Sequence, residues 1–242
     1  MPTQWYTGRV NGIKQLTEST RQFSVDVSHE NGVFQFIPGQ FVTMDLPVSE
    51  KRLNRWRSYS IANRPYGTNI LEFCIVKSQD GPGTRFLFEE VQVGSVLKFK
   101  GPDGGFVIPA NLDVEIIMLC TGTGVAPFRS MIHHLVENKI PFRSIHLIFG
   151  TRTENSILYR DEFEKIEKDH PGFKYSVALS RENKEGFHHG YIHDIYAAAY
   201  SEVTDNRKFY ICGWTKMIDE AITKLMIDLK YDKSQIHYEL YG

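Results

Sequence analysis

Over residues 4–108 apolar and polar positions alternate in short runs, the period-two pattern of strands buried on one face. Phe23-Ser24-Val25-Asp26-Val27 and Phe41-Val42-Thr43-Met44 carry it, and residues 71–76 form a further candidate strand. Turn residues at Asn31-Gly32, Pro38-Gly39, Tyr66-Gly67 and Gly101-Pro102 separate the runs. Short strands at this spacing predict a β-barrel, interrupted by one helix near residues 85–90. After Pro109 the pattern changes. Residues 115–120, 145–149, 175–179 and 209–212 are nearly continuous apolar runs, as in strands covered on both faces. Helical stretches at 128–138, 158–168 and 216–230 stand among them, and strand-helix alternation predicts parallel pairing. The expected organisation is one domain over 1–109 and a second over 110–242.

Composition narrows the function classes. The 242 residues are 41% hydrophobic and 24% charged, ordinary for a globular protein, and 28 Lys+Arg against 29 Asp+Glu leave a net charge of -1. No global field draws such a chain to nucleic acid or to an anionic membrane, so any charged docking patch is local. Lys51, Arg52, Arg55 and Arg64 are the candidates, against the plainer reading of a solvated face. Cys74, Cys120 and Cys212 are odd in number and widely spaced, which fits neither a disulfide framework nor a tetrahedral metal site. The start, Met1 to Tyr6, has no signal pattern, and no apolar run approaches the length of a bilayer, so a reducing, cytoplasmic setting is expected. The neighbouring histidines His133-His134 and His188-His189 have no carboxylate or cysteine partners that complete a metal set, and none is expected.

Five segments carry candidate chemistry. In Arg57-Ser58-Tyr59-Ser60, residues two apart on a strand share a face, so a cation and a ring meet the same ligand while the Ser60 hydroxyl follows. Gly81-Pro82-Gly83-Thr84 precedes the first helix, with Thr84 as its expected N-cap. Thr121-Gly122-Thr123-Gly124-Val125-Ala126-Pro127 follows an apolar strand and opens a helix, where glycines allow close backbone approach and free N-H groups face a pyrophosphate. Cys212-Gly213 ends the last apolar strand. The tail Tyr238-Glu239-Leu240-Tyr241-Gly242 is too aromatic for a solvated end and is expected to dock. Each segment alone is also consistent with ordinary packing or turn chemistry.

Together with Gly101-Pro102-Asp103-Gly104-Gly105-Phe106, these segments stand in the order found in the ferredoxin-NADP reductase family, and the resemblance spans almost the whole chain. It implies a six-stranded antiparallel Greek-key β-barrel that holds FAD, followed by a doubly wound parallel-sheet domain that binds NAD(P)H, with the two cofactors meeting in a crevice between them. It further implies that Arg57 contacts flavin phosphate, Tyr59 packs on the isoalloxazine, Ser60 hydrogen-bonds its reducible edge, and Gly83 and Thr84 hold the pyrophosphate. Thr123 and Gly124 take the nicotinamide nucleotide, and Cys212 with Gly213 lies beside the nicotinamide ring without acting as a nucleophile. Glu239 tunes the flavin, and Tyr241 covers it and moves aside for nicotinamide, although Gly242 extends this chain past the tyrosine, closer to flavohaemoglobin reductase domains.

Ser180-Arg181 follows the strand at 175–179, where the adenosine ribose is read in doubly wound sheets, and an arginine with a hydroxyl suits a 2′-phosphate. Tyr191 matches the adenine-stacking tyrosine of the NADP-dependent branch. His189 stands where that branch has lysine, and Glu182 is acidic, so NADPH is favoured with NADH open. The expected activity is hydride transfer from NADPH to FAD and then single-electron transfer to a separate ferredoxin or flavodoxin. Free flavin or ferric-chelate reduction, service as the reductase component of an oxygenase, and a nucleotide-binding regulator without turnover stay open as alternatives.

Overall fold

The computed structural model describes residues 4–28 and 32–241, so Asn31 of the expected Asn31-Gly32 turn, Gly242 and the first three residues lie outside the described residues. The chain divides into two compact units, Met1–Ile108 with Ala126–His134, and Pro109–Val125 with Leu135–Gly242.

In the first unit the alternating runs form six strands, β1 (Trp5–Thr17), β2 (Thr20–Asp26), β3 (Phe41–Asp45), β4 (Trp56–Ser60), β5 (Ile70–Val76) and β6 (Val96–Asp103). They pair antiparallel in the order β4-β3-β6-β1-β2-β5. A further antiparallel bridge from Ile61, just past β4, to Phe73 on β5 joins the two ends of the sheet and closes the Greek-key barrel. Its interior is filled by the apolar half of each alternation: Phe23, Val25, Met44, Leu71, Phe73 and Phe99 are fully or almost fully buried. Burial of such side chains contributes roughly 1.5–3 kcal/mol each. The helix α1 (Pro82–Glu89) begins earlier than the sequence suggested. Proline occupies its first turn and Gly81 is the N-cap, so Thr84 does not cap it. Proline has no N-H to satisfy and its fixed φ suits a helix start, which moves the boundary three residues upstream of Thr84.

The second unit holds β7 (Glu115–Thr121), β8 (Ser144–Thr151), β9 (Phe173–Leu179), β10 (His188–His189), β11 (Arg207–Trp214) and β12 (Ile236–Tyr241), all parallel, in the order β10-β9-β8-β7-β11-β12. In chain order helices α2 (Val125–Glu137), α3 (Arg160–Asp169), α4 (Ile192–Ala199) and α5 (Thr215–Thr223) alternate with these strands, as a doubly wound sheet requires, although Ala126–His134 of α2 belongs to the first compact unit. The aromatic tail docks as strand β12 beside β11. Among the described residues no helix is long and apolar enough to cross a membrane.

A polar group sits inside this sheet. His146 on β8 is 3% exposed, and its ring nitrogens meet Tyr200 Oη at 2.6 Å and Ser176 Oγ at 2.8 Å. Burial, reinforced by Lys174, pushes its pKa down to about 3. An unfolded chain takes up a proton at this imidazole below about pH 6.5 and the folded one refuses it until about pH 3, so stability falls as pH drops through that window. The loss is on the order of 4 kcal/mol at the acid end. In a His146→Gln variant, which keeps a donor and an acceptor, the fall of the melting temperature between pH 7 and 4 is expected to be shallower than in the wild type. Equal slopes would remove His146 from the account.

Candidate functional site

Each unit gathers a set of the residues singled out above. In the barrel, Arg57 and Tyr59 lie on one face of β4, opposite Met44 and Val42 of β3, and Ser60 lies opposite Phe41. The Arg57 guanidinium is aimed by its neighbours: Nη1 donates to the carbonyls of Asn54 (3.0 Å) and Trp56 (2.7 Å). A Cβ built on Gly83 would lie 3.1 Å from Arg57 Cγ and 3.4 Å from Nε, so the arginine lies close over the first turn of α1, in room that the glycine leaves. A cation beside the N-H groups of a helix start is an anion cradle of the kind a dinucleotide pyrophosphate fills. Thr84 shapes the same loop, accepting from the Ser78 N-H at 3.0 Å and donating to the Gly81 carbonyl at 3.1 Å. Burial pushes the Tyr59 phenol up and the nearby Arg57 charge only partly offsets it, so the ring is a neutral phenol. Ser60 is 4% exposed.

In the second unit the carboxyl ends of the adjacent strands β7 and β11 touch. Thr121 leads into a tight turn, Gly122–Gly124, that opens α2 and includes Thr123. A Cβ on Gly124 would sit 2.3 Å from the Cys212 carbonyl oxygen and 2.9 Å from Gly213 Cα. Gly213 has φ +149, and a Cβ there would meet Thr121 Oγ1 at 2.6 Å. The glycines are thus a requirement of backbone-to-backbone contact. Thr121 Oγ1, at the head of this motif, is itself buried without a hydrogen-bond partner. Cys212 pairs in register with Cys120 on one side and Glu239 on the other. Burial pushes the Cys212 thiol well up, Glu239 and then Cys120 add to it, and the nearby Tyr241 opposes them. The thiol stays protonated, a packing and contact surface and no nucleophile. Cys212, Glu239 and Tyr241 are therefore brought together at one edge of the sheet.

A third group forms past β9. The Ser180 N-H donates to the Thr151 carbonyl and the Arg181 N-H to the Arg152 carbonyl, both at 2.9 Å. Register places His189 beside Leu179, and the Gly190 N-H binds the Leu179 carbonyl at 2.9 Å, which brings exposed Tyr191 to the same strand end. Glu182 is tied back to the loop after β8, where its Oε2 accepts the Glu154 N-H at 2.7 Å. Arg152, exposed at the end of β8, joins Arg181 as a second cation that the sequence reading missed.

Residues 7–108 match the family model described as an oxidoreductase FAD-binding domain, and residues 118–222 the one described as an oxidoreductase NAD-binding domain. The chain belongs to the ferredoxin-NADP reductase-like family. It is an oxidoreductase with an FAD-binding domain and a nicotinamide-nucleotide-binding domain. Among relatives, it is 31% identical to the phenol hydroxylase P5 protein of Acinetobacter pittii over 242 residues, covering 98% of this chain and 66% of that protein. It is 25% identical to ferredoxin--NADP reductase B of Sorangium cellulosum, covering 98% of this chain and 97% of that one. A solved ferredoxin NADP+ reductase from Neisseria gonorrhoeae, with bound FAD and NADP, superposes with a TM-score of 0.80 at 24% identity over 98% of both chains. The chain spans about two thirds or less of the length of its oxygenase-reductase relatives and nearly all of that reductase B.

Proposed function

We propose that this reductase-family protein takes hydride from NADPH onto FAD and passes single electrons to a separate small carrier, ferredoxin or flavodoxin. Bound FAD supplies the conversion between two-electron and one-electron chemistry. In this reading Arg57, Gly83 and Thr84 hold the pyrophosphate of FAD, Tyr59 flanks the ring and Ser60 hydrogen-bonds its reducible edge. Thr123 and Gly124 receive the pyrophosphate of NADPH, and Ser180, Arg181 and Tyr191 its adenosine end. Cys212 and Gly213 form the surface against the nicotinamide, with Tyr241 and Glu239 alongside. The observation that carries the reading is the backbone contact of Gly124 with Cys212 and Gly213, beside a protonated thiol.

The preference for NADPH rests on Arg181, with Arg152 and His189 beside it and Glu182 engaged by the Glu154 N-H. Anaerobic NADPH is expected to bleach the flavin absorbance of the wild type. Arg181→Gln is expected to raise the KM for NADPH about 10- to 100-fold and to change that for NADH less than about threefold, since a charge-assisted pair to phosphate contributes roughly 1.5–3 kcal/mol. A wild type with the lower KM for NADH would sink the preference.

The carrier assignment draws support from the near-complete coverage of ferredoxin--NADP reductase B. Of the candidate docking cations, Arg55 is neutralised by Asp45 at 2.7 Å, whereas exposed Arg52 and half-buried Lys100 flank the Trp56 ring at 5.0 and 4.4 Å, and Lys98 lies over Trp5. This basic aromatic stretch suits an acidic carrier. The similarity to the phenol hydroxylase P5 protein favours a second reading, reductase component of an oxygenase. Turnover with ferredoxin or flavodoxin, compared with an oxygenase component and ferric chelates, separates the two.

A further inference from the structure

Among the described residues Arg129, on α2 and 8% exposed, is the buried cation of the first unit. Its Nη1 donates to the Ala62 carbonyl at 3.0 Å and to Glu72 Oε2 at 2.7 Å. The next residue, Ser130, is fully buried and donates its hydroxyl to the Asn63 carbonyl at 2.6 Å. Both carbonyls belong to the peptide that leaves β4 immediately after Ser60 and Ile61. The same peptide is held from the barrel side as well. The Ile61 N-H binds the Gln40 carbonyl at 3.0 Å, the Ala62 N-H binds the Glu72 carbonyl at 2.8 Å, and Asn63 Oδ1 accepts the Glu72 N-H at 2.8 Å.

A strand end of this kind ordinarily gives its backbone groups to water. Here they are consumed by an ion pair of buried Arg129 with partly buried Glu72, and by a buried hydroxyl. Stability alone does not account for the pair, because charges drawn largely out of water recover their desolvation poorly, and an apolar pair of similar volume commonly does as well or better. What the arrangement does provide is direction: a planar guanidinium with two fixed acceptors leaves the 61–63 peptide one orientation.

We infer that Arg129, through its ion pair with Glu72 and its bond to Ala62, is a positioning residue that fixes the Ser60 hydroxyl for hydride transfer. The inference rests on the proposed role of Ser60 at the flavin. Ile61 is the single residue between Ser60 and the clamped Ala62 carbonyl, so loosening the clamp swings the Cα-Cβ direction of Ser60 while its chemistry is unchanged. Displacements of about 1 Å at a reacting centre are enough to cost rate heavily.

The test compares flavin-loaded wild type with Arg129→Met, Arg129→Lys and the double variant Arg129→Met/Glu72→Met. The single methionine variant leaves Glu72 without its counter-charge and is expected to melt at lower temperature. The double variant is expected to regain the wild-type melting temperature, yet to reduce its flavin about tenfold more slowly at saturating NADPH, with KM within about twofold, a displaced flavin visible band, and faster amide exchange at residues 61–63 with or without FAD. Arg129→Lys, which reaches one acceptor as a point charge, is expected to recover part of the rate and of the exchange protection. A double variant with wild-type rate, spectrum and exchange shows the pair to be structural only and overturns the inference. Should the double variant not fold, an Arg129→Lys protein with wild-type exchange and rate overturns it equally. A wild type that takes up no FAD, or is not bleached by NADPH, sinks the flavoenzyme reading and this inference with it, an outcome read before any variant is compared.

Discussion

Replacing Gly124 with alanine is expected to lower the rate of NADPH-driven flavin reduction at least about 100-fold, or roughly 2.7 kcal/mol, while the protein keeps its FAD. The added Cβ would stand 2.3 Å from the Cys212 carbonyl oxygen and 2.7 Å from its carbon. Both are backbone atoms at the end of a strand paired on both sides, so no rotamer change relieves the overlap. The turn Gly122–Gly124 must then move away from Cys212 and Gly213, and the surfaces proposed to take pyrophosphate and nicotinamide part from each other. A displacement of this size costs about 100-fold when it separates a reacting group from its partner. Gly105→Ala is the control: its Cβ meets nothing within 4 Å and its φ is not positive, so near-normal kinetics are expected. Stopped-flow bleaching by NADPH, set against photochemical reduction of the same bound flavin, separates loss of nicotinamide contact from loss of FAD. A Gly124→Ala rate within threefold of wild type would remove this turn from the nicotinamide site.

The sequence was legible where one physical term dominates. Strands β7, β8, β9 and β11 are covered on both faces, so each reads as an apolar run almost to its true ends. The barrel strands show their alternation for the same reason, one buried face against one wet one. Legibility failed where the determining contact is distant or the element is too short for a period. Strand β10 is two histidines, without periodicity, and exists because it pairs with Ala178 and Leu179. The tail read as docked but not as a strand, since Tyr238 and Leu240 are about half exposed along an edge that has a partner on one side only. Thr84 read as a cap because hydroxyl residues favour that position, but Pro82 moved the helix start upstream of it. Among site residues, Arg57, Cys212 and the two glycine loops stood out by local pattern. Arg152 and Arg129 did not. The first gains meaning from its bond to Arg181 across the ends of β8 and β9, and the second from Glu72, 57 positions earlier.

Ser60→Ala carries the other large expected effect: flavin reduction slowed about 10- to 100-fold at saturating NADPH, with FAD still bound and the melting temperature within a few degrees of wild type. The substitution leaves most of the site intact. Cβ stays, the backbone pairing of Ser60 with Phe41 is unaffected, and the clamp on Ala62 and Asn63 does not involve the hydroxyl. The anion cradle of Arg57 and Gly83 is untouched, and that cradle is proposed to hold the cofactor. What is lost is a single donor in a position 4% exposed, where water does not readily replace it. A hydrogen bond to a group that gains negative charge contributes about 1.5–3 kcal/mol, and only the part that appears as charge develops slows the reaction. Tyr59 does not substitute, because it lies on the other face of the strand. The discriminating pair of measurements is the limiting rate of hydride transfer and the flavin midpoint potential. Both are expected to fall together in Ser60→Ala, since the same bond stabilises reduced flavin. A normal rate at normal potential would place the hydroxyl away from the reducible edge.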